Sequence, residues 1–467
     1  MTARHPRRRA VSGFALYDVA NSAFVTTVVT AVGGPFLTAL AQDVAGEDDR
    51  VSVLLLDPRA SSVFAYAVSL SVLLQVVALP VLGALADRPL AKRRLLVVST
   101  AIGSAATVAL ALTPAGTVLP GLAAFVVANV AYGAAILAYN AYLSDVAELP
   151  DRHRVSALGF AAGYAGGALV LAVSLVLVTA ADPLGISRGT AVRLAIGLSA
   201  VWWAGIGAVA VRRLDAVREL PGWDPSPVTE RLSAQVAGSL RQLRGSLSAL
   251  RALPGTARFL LAFLLFNDAI QAVVALSAVV LEEELFVAKG LPRDDATPFL
   301  LQLVLLIQVI AVFGAGVSGR LAERFGAKRT LLATLAIWVA IVVYAVFALE
   351  TTTAAYALGV AIAIVLGGSQ AIARSLFSSM VPARRQASFF GFYELAERGT
   401  AWVGTLLFAV VLDVTGSYRG ALLSLLVLFV TGGALLAVTD TDGAVAAARQ
   451  ADADADAEAG SSVVRSR

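Results

Sequence analysis

A charged turn repeats in this chain, half a length apart, each time between two long apolar segments. Gly83, Leu85, Ala86, Asp87, Arg88, Lys92, Arg93, Leu95 and Leu96 return at the same spacing as Gly319, Leu321, Ala322, Glu323, Arg324, Lys328, Arg329, Leu331 and Leu332. Pro150 and Gly159-Phe160 likewise match Pro382 and Gly391-Phe392 at nearly the same offset. Duplication of this kind in an apolar chain points to two alike lobes sharing a central site, as alternating access requires.

The apolar segments set the class. The chain is 58% hydrophobic and 15% charged, against about 25% charged in soluble domains. Runs of roughly 18 or more apolar residues, long enough to cross a bilayer as helix, begin near Gly13, Ser61, Leu95, Leu119, Ala157, Ala191, Thr256, Pro298, Leu331, Ala354, Ser388 and Arg419. The expected fold is an all-α membrane protein of twelve transmembrane helices in two six-helix lobes. The expected organisation is a basic N-terminus (1–12), a first lobe (13–211), a linker (212–256), a second lobe (257–438) and a tail (439–467).

The basic balance, 36 Lys and Arg against 32 Asp and Glu, does not indicate nucleic acid, because the positive charges fall in alternate loops. One set runs through Arg7–Arg9, Arg88–Arg94, Arg152–Arg154, the linker, Arg320–Arg329 and Arg384–Arg385; the other is acidic, with Asp43, Glu47–Asp49 and a loop at Glu282–Glu284. The positive-inside rule then places both termini in the cytoplasm. With no cysteine, thiolate metal sites and disulfides are excluded. The two histidines, His5 and His153, lie in cytoplasmic segments, so no cofactor is implied. Arg7–Arg9 before an apolar run resembles a signal peptide, but the run is too long and holds Asp18 and Asn21; it reads as a retained first helix.

In the linker, Leu232, Val236, Leu240, Leu243, Leu247 and Leu250 recur at helical spacing among arginines, which predicts an amphipathic helix on the inner leaflet or the bundle ends. The tail from about Ala444 alternates Ala with Asp and reads as disordered. Gly159, Gly163 and Gly167 make a smooth stripe for close helix packing.

Polar groups are costly in hydrocarbon, so intramembrane ones are candidates for function. Span one carries Tyr17, Asp18 and Asn21; span seven carries Asn267, Asp268 and Gln271. Each set shares a helical face. Two readings stand: a symmetric pair facing a central cavity, or carboxylates near helix ends tied to basic neighbours. Span four offers Asn129, Tyr132, Tyr139 and Asn140, some for the cavity and others as caps. Span ten offers Gln370 and Arg374, and span eleven opens with Tyr393, Glu394, Glu397 and Arg398. Glu394 and Arg398, four apart, suit an internal ion pair, leaving Glu397 to bond elsewhere or titrate; the Arg374 guanidinium suits a carboxylate, from the substrate or from Glu397; a structural ion network is the alternative.

The repeated turn reads as a gate. Gly83, Asp87, Arg88 and Arg93, with Gly319, Glu323, Arg324 and Lys328, are its candidates. The acidic member bonds a helix N-terminus or an arginine in one conformation only, while Lys92, Arg93 and Arg94 anchor to anionic headgroups.

The first copy resembles the loop signature of the major facilitator superfamily, Gly-x-Leu-Ala-Asp-Arg-x-Gly-Arg-Lys/Arg, with Leu90 in place of the second glycine; the second copy keeps Gly326 but has Glu323. Four further motifs, Tyr17–Phe24, Gly163–Gly167, Gly367–Phe377 and Phe389–Tyr393, resemble the branch containing vacuolar amino-acid effluxers linked to autophagy and their bacterial relatives. The likeness spans about Phe14 to Val438 and implies export of small solutes, amino acids among them. The expectation is a secondary transporter, not an enzyme, moving a small polar solute by alternating access. The alternative is a receptor-like membrane sensor. Absence of a phosphate-cradling Gly-x-x-x-x-Gly-Lys-Ser/Thr loop argues against an ATP motor. A proton gradient or a solute gradient is the expected energy source; membrane lipids, a small-molecule substrate and, in the first case, coupling protons are the expected partners, for a monomer that spans the plasma membrane many times.

Overall fold

The structure is a computed structural model. It describes residues 4–46, 48–53, 57–86, 89–147, 152–220, 253–382 and 402–451, with isolated positions 234, 237, 238, 241, 250, 251, 393 and 453. Among the described residues there is no strand; Arg50 and Arg59 form an isolated bridge. Hydrocarbon offers no partner to backbone amides, so long apolar segments satisfy them internally, as helix.

The first half runs α1 (Arg4–Ala23), a π-helical segment (Phe24–Val32), α2 (Gly33–Gln42), α3 (Val63–Ala86), α4 (Pro89–Ala111), α5 (Leu119–Ala141), the short α6 (Leu143–Val146), α7 (Arg152–Thr179) and α8 (Arg188–Leu214). The second half runs α9 (Pro254–Leu285), α10 (Arg293–Phe325), α11 (Ala327–Phe347), α12 (Thr352–Ser379), α13 (Val403–Thr415), α14 (Tyr418–Ser424) and α15 (Leu426–Val438). Among the described residues eleven helical stretches are long and apolar enough to cross a membrane, and α13 is a shorter apolar helix. Residues 383–392 and 394–401, where the eleventh span was expected to open, lie outside the described residues.

Each half packs mainly on itself. α1 lies against α7 and α8, and α5 against α3 and α4; in the second half α9 lies against α15 and α10 against α12. The lobes meet where α7 and the π segment touch α10, and where α3 touches α13.

The repeated turn is built differently in its two copies. Gly326 separates α10 from α11 with φ +87°, a conformation that disfavours any side chain. In the first copy the matching residue, Leu90, is already helical, because Pro89 opens α4. Proline at a first helical position has its φ preset and loses no hydrogen bond.

Two local expectations are corrected. The acidic loop at Glu282–Glu284 is the last turn of α9, held by ion pairs. Arg293 reaches Glu282 at 3.0 Å and Glu283 at 3.2 Å, while Arg419 reaches Glu284 at 2.7 Å. Arg293 follows Pro292 into α10 and so sits beside the end of α9. The tail is helical from residue 441 to 451. Asp440 caps it by accepting from the Gly443 amide at 2.9 Å, and its alanines favour helix. Ala444 packs against Gly255, where an added Cβ would lie 2.8 Å away. Of the expected amphipathic helix, positions 234, 237, 238, 241, 250 and 251 are described, each of them helical, and Leu250 is buried; its other positions, and the tail beyond 453, lie outside the described residues.

Candidate functional site

A cavity of about 360 Å³ lies between the lobes. Its first-lobe wall is polar and comes mostly from one span: Asp18, Asn21, Ser22, Thr26 and Thr30, joined by Tyr132 and Tyr164. Its second-lobe wall is largely aliphatic, with Gln271, Ser277, Gln308 and Gln370 set into it.

Asp18 is half-buried and accepts a hydrogen bond from the Tyr139 hydroxyl at 3.0 Å. The glycine stripe of α7 makes room for this wall. A Cβ at Gly159 would lie 2.8 Å from the Tyr139 hydroxyl and 3.0 Å from Asp18 Oδ2. One at Gly163 would lie 2.8 Å from Ser22 Oγ, and one at Gly167 2.8 Å from Thr26 Cγ2. The stripe thus faces the polar row of the first span residue for residue.

The structure brings Asp18, Asn21, Tyr132, Gln271 and Gln370 to one cavity. It places the other described candidates elsewhere. Tyr17 is fully buried and its hydroxyl bonds to Thr100 Oγ1 at 2.7 Å, because successive helical residues diverge by about 100°. Asn129 donates to Ser71 Oγ at 2.7 Å and its carbonyl accepts from Gln75 at 3.1 Å, a polar tie within the first lobe. Asn140 is exposed near the end of α5. Asn267 and Asp268 are buried on α9.

The expected symmetric carboxylate pair does not face the cavity as a pair. Asp268 turns instead toward α13, where its Oδ2 accepts from the Gly404 amide at 2.8 Å. Gly404 allows that approach: an added Cβ would lie 3.0 Å from Ala272 and 3.1 Å from the Asp268 carbonyl. Arg374 is exposed on α12, off the cavity wall. Tyr393 is buried, its ring stacked 4.2 Å from that of Phe263. Glu394, Glu397 and Arg398 lie outside the described residues.

Of the gate candidates, Asp87 and Arg88 also lie outside the described residues. Gly83 lies in the last turn of α3 and faces open space, and the backbone of Gly319 and Glu323 is helical within α10. Arg324 is exposed, over the Phe325 ring. The headgroup anchors are corrected in part. Lys92 is buried and pairs with Asp145 at 2.6 Å, while Arg93 grips Asp215 through two bonds of 2.7 and 2.9 Å. Asp215 closes the C-terminus of α8. Lys328 donates to the carbonyls of Ala437 and Thr439 at 2.8 Å, at the end of α15. A cation at a helix C-terminus satisfies otherwise orphaned carbonyls.

Residues missed from the sequence are Ser22, Thr26, Thr30, Tyr164, Ser277 and Gln308. Four of the wall residues were signalled by spacing: Asp18, Ser22, Thr26 and Thr30 recur every fourth position, as do the glycines opposite.

Among the described residues, the polar contacts that join the lobes lie toward the acidic-loop end. Arg59 donates from its backbone amide to the Asp413 carboxylate (2.6 Å) and from Nε to the Asp413 main-chain carbonyl (2.9 Å), and Arg50 stands 3.9 Å from that carboxylate. Arg188 pairs with Asp295, and Ser69 donates to the Trp402 carbonyl at 3.0 Å. The pairs made by Lys92 and Arg93 stay within the first lobe.

Comparison with known families decides the membership. A model described as "Vacuole effluxer Atg22 like" matches residues 6–449. The chain belongs to the Atg22-like family. It is similar to the MFS-type transporter YxiO of Bacillus subtilis (strain 168), itself described as uncharacterized, at 28% identity over 91% of this chain and 94% of that one. Autophagy-related protein 22 of Yarrowia lipolytica is 25% identical over 81% of this chain and 75% of its own. Among solved structures, a D-xylose-proton symporter aligns at TM-score 0.63 and 15% identity, covering 94% of this chain and 98% of that one. A bacterial homologue of the iron transporter ferroportin, in its inward-facing state, aligns at TM-score 0.62 and 12% identity, covering 93% and 98%. The Atg22-like chain is therefore a multi-pass membrane transporter of the major facilitator type, and a receptor-like sensor is not favoured.

Proposed function

We propose that this protein is a secondary active transporter that exports a small polar solute by alternating access, driven by a proton gradient. The observation that carries the reading is the inter-lobe cavity, polar on one wall, with the lobes bonded to each other toward one membrane face. A site reached from one side at a time is the minimum that alternating access needs.

The positive-inside pattern supports cytoplasmic termini; a plasma-membrane location and a monomeric state are proposed with it. The description of the matching family supports efflux, and amino acids are the first solutes to examine. Asp18, Asp268 and Glu397 are the proposed coupling carboxylates, with Arg374 or Arg398 as charge partner, because a buried charge without a use or a partner is costly. Asn21, Tyr132, Gln271 and Gln370 are the proposed solute contacts. The repeated turn, with Asp87 and Glu323, is the proposed inner gate.

Counterflow of a broad metabolite panel in proteoliposomes tests the reading. Saturable exchange of at least one solute is expected, and no exchange of any solute would overturn it.

A further inference from the structure

We infer that the cavity is a binding site for an amphipathic organic cation, an amine whose ammonium group pairs with Asp18 and whose apolar body lies on the second lobe. This rests on the transporter reading above and names, in place of an amino acid, the solute class.

Charge carries the argument first. Among the described residues lining the cavity, Asp18 is the one charged side chain, and no Lys, Arg or His joins it. Among the described residues Asp18 makes no salt bridge; a phenol, Tyr139, donates to it. A carboxylate within a spanning segment calls for a positive partner; Arg374 lies off the cavity wall, and a bound ammonium supplies the charge from within the cavity. Among the described lining residues, a carboxylate on the solute would find amides and hydroxyls, and would face Asp18 itself.

The walls carry the rest. The polar row of the first span ends at Thr30, and opposite it stand Val274, Leu281, Leu300, Ile307, Leu358 and Leu366. A solute lying across the cavity therefore meets hydrogen-bonding groups on one side and aliphatic surface on the other. Tyr132 and Tyr164 add aromatic side chains to the charged side, and aromatic rings attract ammonium groups. A volume of about 360 Å³ suits a molecule of one ring and a short chain.

A charge series on one scaffold tests this with the full chain in nanodiscs and proteoliposomes: phenethylamine, phenethyl alcohol, 3-phenylpropionate and phenylalanine. At neutral pH the amine should bind at least about 10-fold more tightly than the alcohol, the gap expected when a hydrogen bond becomes charge-assisted. In Asp18→Asn that advantage should vanish while the alcohol binds as before. If Asp18→Asn does not fold, Asp18→Glu should retain part of the advantage. Equal binding of amine and alcohol, tighter binding of the zwitterion or the anion, or an amine advantage that survives Asp18→Asn would each overturn the inference. Counterflow separates the two readings. Exchange of other solutes without amine binding sinks the solute class and leaves the transporter. Amine binding without exchange of any solute sinks the transporter and leaves the site.

Discussion

Arg59 and Asp413, 354 residues apart, tie the two lobes together: the arginine gives its backbone amide to the aspartate's carboxylate and its Nε to the aspartate's main-chain carbonyl. Truncating the Arg59 side chain leaves its amide on the carboxylate, whereas truncating Asp413 removes that bond and the nearby Arg50 charge pair and leaves only the Nε bond to the main-chain carbonyl, so the aspartate is the more informative half. Asp413→Ala should shift the population toward states open at the acidic-loop end. A contact of about 1–3 kcal/mol changes such populations some 5- to 150-fold. Labelling of a cysteine placed at Ser277, on the cavity wall, should quicken from that side. Unchanged labelling would show that the tie does not hold the closed state.

Membrane orientation can be read directly, since the chain has no cysteine of its own. Cysteines at Asp294 and at Arg94, both exposed and at opposite ends, should label differently in intact cells. Asp294→Cys should react with an impermeant reagent and Arg94→Cys should not. The reverse pattern would invert the positive-inside assignment.

Coupling separates the two intramembrane carboxylates. Asp18→Asn should abolish net uptake driven by an imposed pH gradient. Asp268→Asn should do the same while leaving counterflow measurable, if it carries protons rather than structure. Its Oδ1 is buried with no hydrogen-bond partner among the described residues. A fall in melting temperature, with net flux and exchange lost together, would assign Asp268 to packing through Gly404.

Gly33 tests the wide turn of the first span. Its amide donates to the Val28 carbonyl five residues back, and a Cβ there would lie 2.1 Å from that oxygen. Gly33→Ala should cost about 1–3 kcal/mol, as overpacked sites do. It should lower the melting temperature and the counterflow rate together. A variant with wild-type melting and flux would show that the segment rewinds freely.

Much of the fold was legible because bilayer crossing forces apolar length on every span, and that length is written in consecutive residues. Asp18 and Asn21 were legible for the same reason, as polar groups conspicuous in an apolar run. Tyr17 was misread because a shared helical face was inferred from spacing, whereas its orientation is set by Thr100 on another helix. Lys92 looked like a headgroup anchor because Asp145 stands 53 residues away, where no local pattern reveals it. Glu282–Glu284 looked like a loop because acidic runs usually are solvated; Arg293 and Arg419 are what keep them on the helix. The π segment had one sign, Gly33-Gly34 after a β-branched run.

That segment has a mechanical consequence. Residues Phe24–Val32 are a dislocation in the hydrogen-bond ladder of the first span, while α9, its counterpart, carries an unbroken ladder from Pro254 to Leu285. A dislocation can glide along a rod without moving the rod's ends. Each residue of glide re-aims the side chains it passes by about 100°. Thr26 and Thr30 sit on the gliding part and Asp18 sits before it. The two lobes thus differ in stiffness where they face one another: one wall of the cavity can turn its hydroxyls, and the other can only tilt.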